Sequence, residues 1–372
     1  MTQYKGPRPR ARDIGIAVGS GSPGPLNAIT DVPGVRVGHI SLIRGEGELR
    51  VGEGPVRTGV TAVLPHGGNL FAAKVRAAGF ILNGFGKSVG LPQLAELGCI
   101  ETPILLTGTL STWRVADALV DYAARSNPGV YSFNPVVCEC NDSRLSDALG
   151  RHVTAADVLA AIECAQEGPV AEGNVGAGVG MTAFGWKAGI GTASRTGRVQ
   201  AGPFTVGALV LANTGEPGEL RVGGIPVGDA LRPDAVEQEC GDGSIIMLVA
   251  TDASLSHRQL SRMAKRAALG LGRTGATASH GSGDFAIAFS TTARIDTEGR
   301  EVHEGGAPVR EPELSRLFGA TVEAVEEAIL NSLLRAENMT GRDGAVSRAI
   351  PVQRLLQVLE RRGGPPTPGP RQ

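Results

Sequence analysis

One run of sequence restricts the fold more than any other: Ser244-Ile-Ile-Met-Leu-Val-Ala250. From Ile245 onward neither alternating face carries a polar residue, which is the pattern of a strand buried on both sides. The run follows Glu239-Cys-Gly-Asp-Gly243, so Ser244 is its first residue. Gly241 and Gly243 flank Asp242 and leave the Gly243 carbonyl open to an incoming group. A serine placed in this way is suited to attack the peptide bond just before it. If that bond breaks, Ser244 becomes an N-terminus whose amine, with an ordinary pKa of about 7.7 to 8.0, is a general base beside its own hydroxyl. The same residues also describe a plain glycine turn leading into a strand.

The 372 residues include 54 glycines, with 41% hydrophobic and only 4% aromatic residues. A core of Val, Leu, Ile and Ala on closely approaching backbones follows, which suits a tightly layered α/β protein. The 36 basic and 37 acidic residues are interspersed and leave a net charge of −1. That gives no electrostatic footprint for nucleic acid or membrane, so a small partner is expected. Cys99, Cys138, Cys140, Cys164 and Cys240 have neither zinc-ligand spacing nor a disulfide framework. No metal or other cofactor is expected, and a reducing, cytoplasmic setting is the default. Met1 to Asp13 is polar and basic with no apolar segment behind it, unlike a signal peptide, and no window approaches a membrane span. The first dozen residues, with Lys5, Arg8, Arg10 and Arg12, and the tail from Gly363 read as mobile ends or as an arm over a neighbouring subunit.

Between the ends, strands and helices alternate without a linker. Val60 to Pro65 and Leu70 to Leu82 read as a strand pair joined by the turn His66-Gly-Gly-Asn69. Leu91 to Leu97 reads as a short helix with Pro92 near its start and Gly98 after its end. A strand over Ile104 to Thr107, a helix over Thr112 to Arg125 and a strand over Tyr131 to Cys140 follow. Thr154 is the N-cap of a further helix, with Asp157 in its first turn and Gly168 closing it. Phe204 to Ala212 is a strong strand running into Asn213. Ser256 and Gln259 form a capping box ahead of a stripe of Leu260, Met263, Ala267 and Leu271. The glycine-dense segment Gly176 to Arg195 offers Gly178, Gly180 and Ala183 in a loose dinucleotide spacing. The residues after it alternate like a strand instead of opening a helix, which argues against a nucleotide site. Gly86-Lys-Ser88 likewise lacks the P-loop glycine, since Ile81 stands there.

The second chemical segment is His280-Gly-Ser-Gly-Asp284 before Phe-Ala-Ile-Ala-Phe289. In an extended chain Ser282 and Asp284 share a face with Ala286 and Ala288, while Phe285, Ile287 and Phe289 face the opposite core. A carboxylate bonded to one serine that bonds to another would polarise Ser244, with serine where histidine is usual. A hydrogen-bonded strand end is the other reading of this spacing. His280 reads as a turn residue and His257 as a solvated helix residue.

Taken together, Gly243-Ser244 before an apolar strand, Ser256-His-Arg-Gln-Leu260 and Gly281-Ser-Gly-Asp284 resemble the L-aminopeptidase D-Ala-esterase/amidase and β-peptidyl aminopeptidase family. Asn27-Ala-Ile-Thr-Asp-Val-Pro-Gly-Val-Arg-Val-Gly-His39, Asn83-Gly-Phe-Gly-Lys87, Glu172-Gly-Asn-Val-Gly176 and Gly189-Ile-Gly-Thr-Ala-Ser-Arg195 fit it too. The resemblance runs from about Asp13 to Arg362. It implies a single catalytic domain over 13–362, built as a four-layer αββα sandwich, related to N-terminal nucleophile hydrolases and closest to the ornithine acetyltransferase topology. It further implies cleavage between Gly243 and Ser244 into chains 1–243 and 244–372, with Ser244 as nucleophile and Ser282 and Asp284 as its partners. Asn213 falls on the oxyanion-hole asparagine and Glu139 on the residue that receives the substrate's amine. A homo-oligomer, a tetramer of cleaved αβ units, is implied as well. One departure stands out: Ser143-Arg144 follows Asn141-Asp142 where Gly-Tyr is expected.

The expected function is therefore release of a small N-terminal residue, L-, D- or β-, from a peptide, amide or ester. Acyl transfer on the same fold, or a non-catalytic ligand-binding relative, are the alternatives. For Glu139, on its apolar strand, a salt bridge to Arg144 is the purely structural alternative.

Overall fold

The computed structural model describes residues 8–232, 243–303 and 307–363. Lys5, residues 239–242 with Cys240, Gly241 and Asp242, and the tail beyond Gly363 lie outside the described residues. The first strands, β1 (Arg36–Arg44) and β2 (Val56–Leu64), form an antiparallel pair, with His39 opposite Thr61. Then come β3 (Lys74–Gly84), α1 (Leu91–Leu97), β4 (Cys99–Ile100), β5 (Ile104–Gly108), α2 (Thr112–Ser126), β6 (Val136–Cys140) and α3 (Ala155–Glu163). β5 joins β2 and β6 joins β5, which completes a four-stranded sheet in the order β1-β2-β5-β6.

After a short 3-10 turn over Gly176–Gly180 come the small pair β7 (Thr182–Ala183) and β8 (Trp186–Lys187), then the long hairpin β9 (Ile190–Val199) and β10 (Gly202–Asn213). A ribbon of β11 (Arg221–Val222) and β12 (Ile225–Pro226) with α4 (Gly228–Leu231) precedes β13 (Ser244–Thr251), α5 (His257–Arg273) and β14 (Gly283–Ile295). β15 (Glu301–His303), α6 (Leu314–Leu334) and α7 (Val352–Arg361) follow. The second sheet runs β4-β3-β14-β13-β10-β9, with β15 on β14.

Apolar residues sort into three cores by strand parity. Val60, Ala62, Leu105 and Val137 of the smaller sheet pack under Val115, Leu119, Val158 and Ile162 of α2 and α3. Its opposite face gives Val63, Ile104, Leu106 and Cys138 to a core shared with Leu209, Ile246, Leu248, Phe285, Ile287 and Phe289 of the larger sheet. The larger sheet's other face, with Ile245, Met247, Ala286 and Ala288, lies under Leu260, Met263, Ala267, Val325 and Ile329 of α5 and α6. β13 is buried along its whole length, as its composition requires. No described helix is long and apolar enough to cross a membrane.

Four sequence expectations need correction. β2 and β3 do not pair: β2 lies in the smaller sheet and β3 in the larger one. Asn69 Oδ1 accepts the Phe71 N–H at 3.0 Å, an Asx turn that keeps 70–73 out of a ladder, so the link crosses between sheets. The strand expected from Tyr131 begins only at Val136, and Tyr131 is exposed. The helix capped by Thr154 and Asp157 ends at Glu163, well before Gly168. The basic arm is not loose where it is described, because its guanidinium groups find acceptors within the same chain. Arg8 donates to Leu334 O at 2.8 Å and to Ile350 O at 2.9 Å, Arg10 pairs with Glu172 at 2.8 Å and Arg12 with Glu327 at 2.9 Å. Ala11 between them is fully buried.

Candidate active site

Three neighbouring strands of the larger sheet bring their ends together. Asn213, the last residue of β10, lies opposite Ser244 in the antiparallel register, and Ser244 pairs with Gly283 on the parallel neighbour β14. Directly opposed residues of an antiparallel pair share a face, so the Asn213 and Ser244 side chains stand side by side. The Ser244 hydroxyl donates to Gly243 O at 2.7 Å. The Gly283 N–H reaches both atoms of that contact, Gly243 O at 3.2 Å and Ser244 Oγ at 3.3 Å. Both glycines are sterically required here. A Cβ on Gly243 would lie 2.8 Å from Asn213 O, and one on Gly283 would lie 2.7 Å from Phe85 O.

Asn213 Oδ1 accepts the Thr182 N–H at 3.0 Å. A backbone amide only donates, so this bond fixes which way the side-chain amide points. Its Nδ2 makes no hydrogen bond to any described residue and is left as a donor beside Ser244.

Ser282 Oγ donates to Asp284 Oδ1 at 2.7 Å, so the serine–carboxylate half of the expected relay is formed. No hydrogen bond between described residues joins Ser282 to Ser244; it is the Gly283 N–H that contacts the Ser244 oxygen. Asp284 is fully buried and its Oδ2 has no hydrogen-bond partner. Burial pushes this carboxyl above its ordinary pKa, against the downward pull of the Ser282 hydroxyl.

Glu139 is carried by β6 and only 2% exposed. Its Oε1 accepts the Lys87 N–H at 2.9 Å, and Lys87 Nζ lies 3.9 Å from the same oxygen. Lys87, not Arg144, is thus the cation at this carboxylate, and Oε2 takes no hydrogen bond from a described residue. The intervening loop is thin because it is glycine. A Cβ on Gly86 would lie 2.5 Å from the Phe285 ring and 3.3 Å from Glu139 Oε1. Phe85 N–H donates to Ser282 O at 3.3 Å, fastening the loop to the end of the sheet that carries Ser244.

Close by, Asp142 is buried, and burial raises its pKa to about 6. Ser143-Arg144 lies in an Asx turn, with Asn141 Oδ1 accepting the Ser143 N–H at 3.0 Å. Arg342 Nε donates to Ser143 O at 2.6 Å. His257 is not a freely solvated helix residue: its Nδ1 lies 2.8 Å from Ala77 O. Among the described residues no cluster of His, Cys, Asp and Glu has the makings of a metal site.

Gly283, Lys87 and Thr182 act here without having been singled out from sequence. Gly283 and Thr182 contribute backbone N–H groups, which every non-proline residue has, so their types carry no signal. Lys87 stood in a segment, Asn83-Gly-Phe-Gly-Lys87, that entered only through the family resemblance.

The profile of peptidase family S58 matches residues 27–347. A β-peptidyl aminopeptidase of Sphingosinicella microcystinivorans is 44% identical over 369 residues, covering 95% of this chain and 92% of that one. The structure of a β-aminopeptidase from Burkholderia sp. superposes with a TM-score of 0.88 at 42% identity, over 96% of this chain and 100% of that one. An L-aminopeptidase D-Ala-esterase/amidase from Ochrobactrum anthropi, described as a prototype serine aminopeptidase and a variant of the Ntn hydrolase fold, gives a TM-score of 0.88 at 37% identity. That match covers 95% of this chain and 99% of the other.

Proposed function

The chain belongs to peptidase family S58, and from that premise we propose that it is a self-processing serine aminopeptidase releasing small N-terminal residues from peptides, amides and esters. L-Ala, Gly, D-Ala and β-amino acids are the residue classes put forward, in keeping with the names of its relatives. The observation that carries the reading is the contact at Gly243-Ser244. A hydroxyl lies against the carbonyl it would attack, and one N–H reaches both the nucleophile and the oxygen that would become the oxyanion.

In self-processing, Ser244 Oγ adds to the Gly243 carbonyl carbon, and the C–N bond breaks as the proton passes to the Ser244 nitrogen. Water then hydrolyses the resulting ester, leaving a Gly243 carboxylate and a free Ser244 amine. In turnover the same hydroxyl attacks the substrate's acyl carbon. Its proton is taken by the Ser244 amine or by the Ser282–Asp284 pair and passed to the amine or alcohol that leaves as the acyl bond breaks. Water then hydrolyses the acyl-serine ester to release the residue and restore the hydroxyl. Asn213 Nδ2 and the Gly283 N–H supply the oxyanion donors, and Glu139 receives the substrate ammonium on its open oxygen. The three cores are read as an αββα sandwich of the ornithine acetyltransferase type.

Purified protein should show two fragments on a denaturing gel, the smaller beginning at Ser244 by N-terminal sequencing, and should hydrolyse one or more of the Ala, D-Ala and β-Ala p-nitroanilides. Ser244→Ala should remain one uncut, inactive chain. Active enzyme lacking a Ser244 terminus would rule the mechanism out.

A further inference from the structure

Lys187, in β8, is fully buried, and no carboxylate among the described residues pairs with it. Removing an ammonium from water is costly, so a lysine held in this way needs compensation from its surroundings. Its Nζ donates to three backbone carbonyls, Ala188 O at 2.5 Å, Met181 O at 2.9 Å and Gly178 O at 3.0 Å. Three acceptors around one nitrogen match the three N–H bonds of the charged form; a neutral amine would turn its lone pair on one of them. Burial by itself pulls the pKa down to about 7, and the converging carbonyl dipoles act the other way.

The Met181 carbonyl and the Thr182 N–H belong to one planar peptide unit. The oxygen end of that plane is held by Lys187 Nζ and by the Ala188 N–H at 3.1 Å. The N–H end donates to Asn213 Oδ1 at 3.0 Å. A cation on the oxygen polarises the peptide and strengthens the N–H as a donor, and a rigid plane passes the orientation of one end to the other.

The turn that joins β7 to β8 is also held under constraint. Phe184, fully buried, sits at φ 51°, a region where a bulky residue persists only if its surroundings impose it. Its N–H donates to Thr214 O at 2.9 Å and Gly215 O at 3.1 Å, tying the turn to the residues just after Asn213. The whole unit is thus clamped against the end of β10.

We propose that Lys187 is a positioning residue for the oxyanion hole: acting through the Met181–Thr182 peptide, its ammonium holds the Asn213 amide with Nδ2 as the free donor beside Ser244. This rests on the reading of Asn213 as an oxyanion donor. The competing role is purely structural, the capping of carbonyls at the end of the Gly176–Gly180 turn.

The test is a double-mutant cycle of Lys187→Met and Asn213→Ala on alanine p-nitroanilide, with kcat expressed per processed chain and melting temperatures measured in parallel. Lys187→Met should lower kcat by at least about 10-fold with KM little changed. Asn213→Ala should lower kcat by roughly 10²- to 10³-fold. In the Asn213→Ala background, Lys187→Met should cost less than about twofold more, because the group it positions is gone. The fall in melting temperature should be the same in both backgrounds. Should Lys187→Met fail to fold, Lys187→Gln, which keeps a donor for the Met181 carbonyl, takes its place with a smaller expected loss. Equal losses of kcat in both backgrounds, or an unchanged kcat in the single variant, would overturn the proposal for Lys187 alone. An Asn213→Ala enzyme with normal kcat would overturn the oxyanion reading of Asn213 and this proposal with it.

Discussion

A carboxylate on an apolar strand costs several kcal/mol unless a cation or hydrogen-bond donors meet it, and among the described residues Glu139 is met on one oxygen only. Oε1 takes both the N–H and the ammonium of Lys87, and Oε2, without a hydrogen bond from a described residue, is the oxygen that the proposed function gives to the incoming amine. Glu139→Gln keeps an acceptor for the Lys87 N–H and removes the charge, so KM for alanine p-nitroanilide should rise about 10²-fold, corresponding to about 3 kcal/mol, with a smaller change in kcat. N-acetyl-alanine p-nitroanilide should be a poor substrate for the wild type, and the two enzymes should handle it alike. Equal wild-type rates on free and acetylated substrate would remove Glu139 from amine recognition. At this scale Ser244, Ser282 and Asp284 were singled out from residue type and setting, Asn213 and Glu139 through the family resemblance, and the structure sets Asn213 opposite Ser244 and bonds Ser282 to Asp284. The sequence was silent on Gly283, because the N–H it contributes is common to the whole backbone.

At the scale of elements, local signals were reliable where the stabilising contacts are local. The Ser256/Gln259 capping box and the Thr154 N-cap form as the spacing predicts, and Asp157, expected only as a first-turn charge, closes a second capping box with Thr154, since the partners lie within one turn. Pairing between strands was less legible: the apolar run of β2 suits any neighbour, and it pairs with β1 and β5 instead of β3. The β1–β2 pair also carries a pH dependence. His39 Nδ1 lies 2.9 Å from Thr61 Oγ1, which already accepts the Ala177 N–H at 3.1 Å. The hydroxyl keeps a second lone pair, so which atom donates in this contact depends on the ring's tautomer, and the buried Nε2 of the ring has no hydrogen-bond partner among the described residues. Burial pulls the His39 pKa down to about 4, below the ordinary value of about 6.5. Between those values the unfolded chain binds a proton that the folded chain does not. The contribution is complete above about pH 6.5 and lost as pH falls toward 4, by up to about 3 kcal/mol. Urea midpoints should drop across this window, and His39→Gln should flatten the drop; identical slopes would assign it to other groups.

Across the whole molecule, the two sides of the proposed cut are interleaved. β13 and β14, from beyond residue 243, lie between β3 on one side and β10 on the other. Breaking the bond between Gly243 and Ser244 severs no ladder. A buried ionic cluster adds a second tie: Arg195 of β9 meets Glu323 at 2.9 Å and Glu327 at 2.7 Å on α6, and Arg12 reaches Glu327 as well. Processed fragments should therefore co-elute in gel filtration and unfold together in one denaturant transition. Their separation under native conditions would contradict this sheet order. Arg195→Leu should destabilise the fold by roughly 1.5 to 3 kcal/mol, because it removes the guanidinium shared by two carboxylates while Glu327 keeps Arg12 and Glu323 keeps the Ser20 and Gly21 N–H groups.

The sequence by itself determined the doubly buried strand with Ser244 at its head, the helix caps, the α/β class and a resemblance specific enough to name a family. Each of these depends on residues adjacent in the chain or one helical turn apart, where propensity and periodicity act directly. Only the tertiary structure decided that Asn213 stands opposite Ser244, that Lys87 meets Glu139, that the basic arm is locked onto α6, and that Ser282 stops short of Ser244 in the uncut chain. Those outcomes are set by register and by contacts between segments tens to hundreds of residues apart. Backbone donors and acceptors are chemically alike at almost every position, so it is packing, and not residue type, that selects which of them meet.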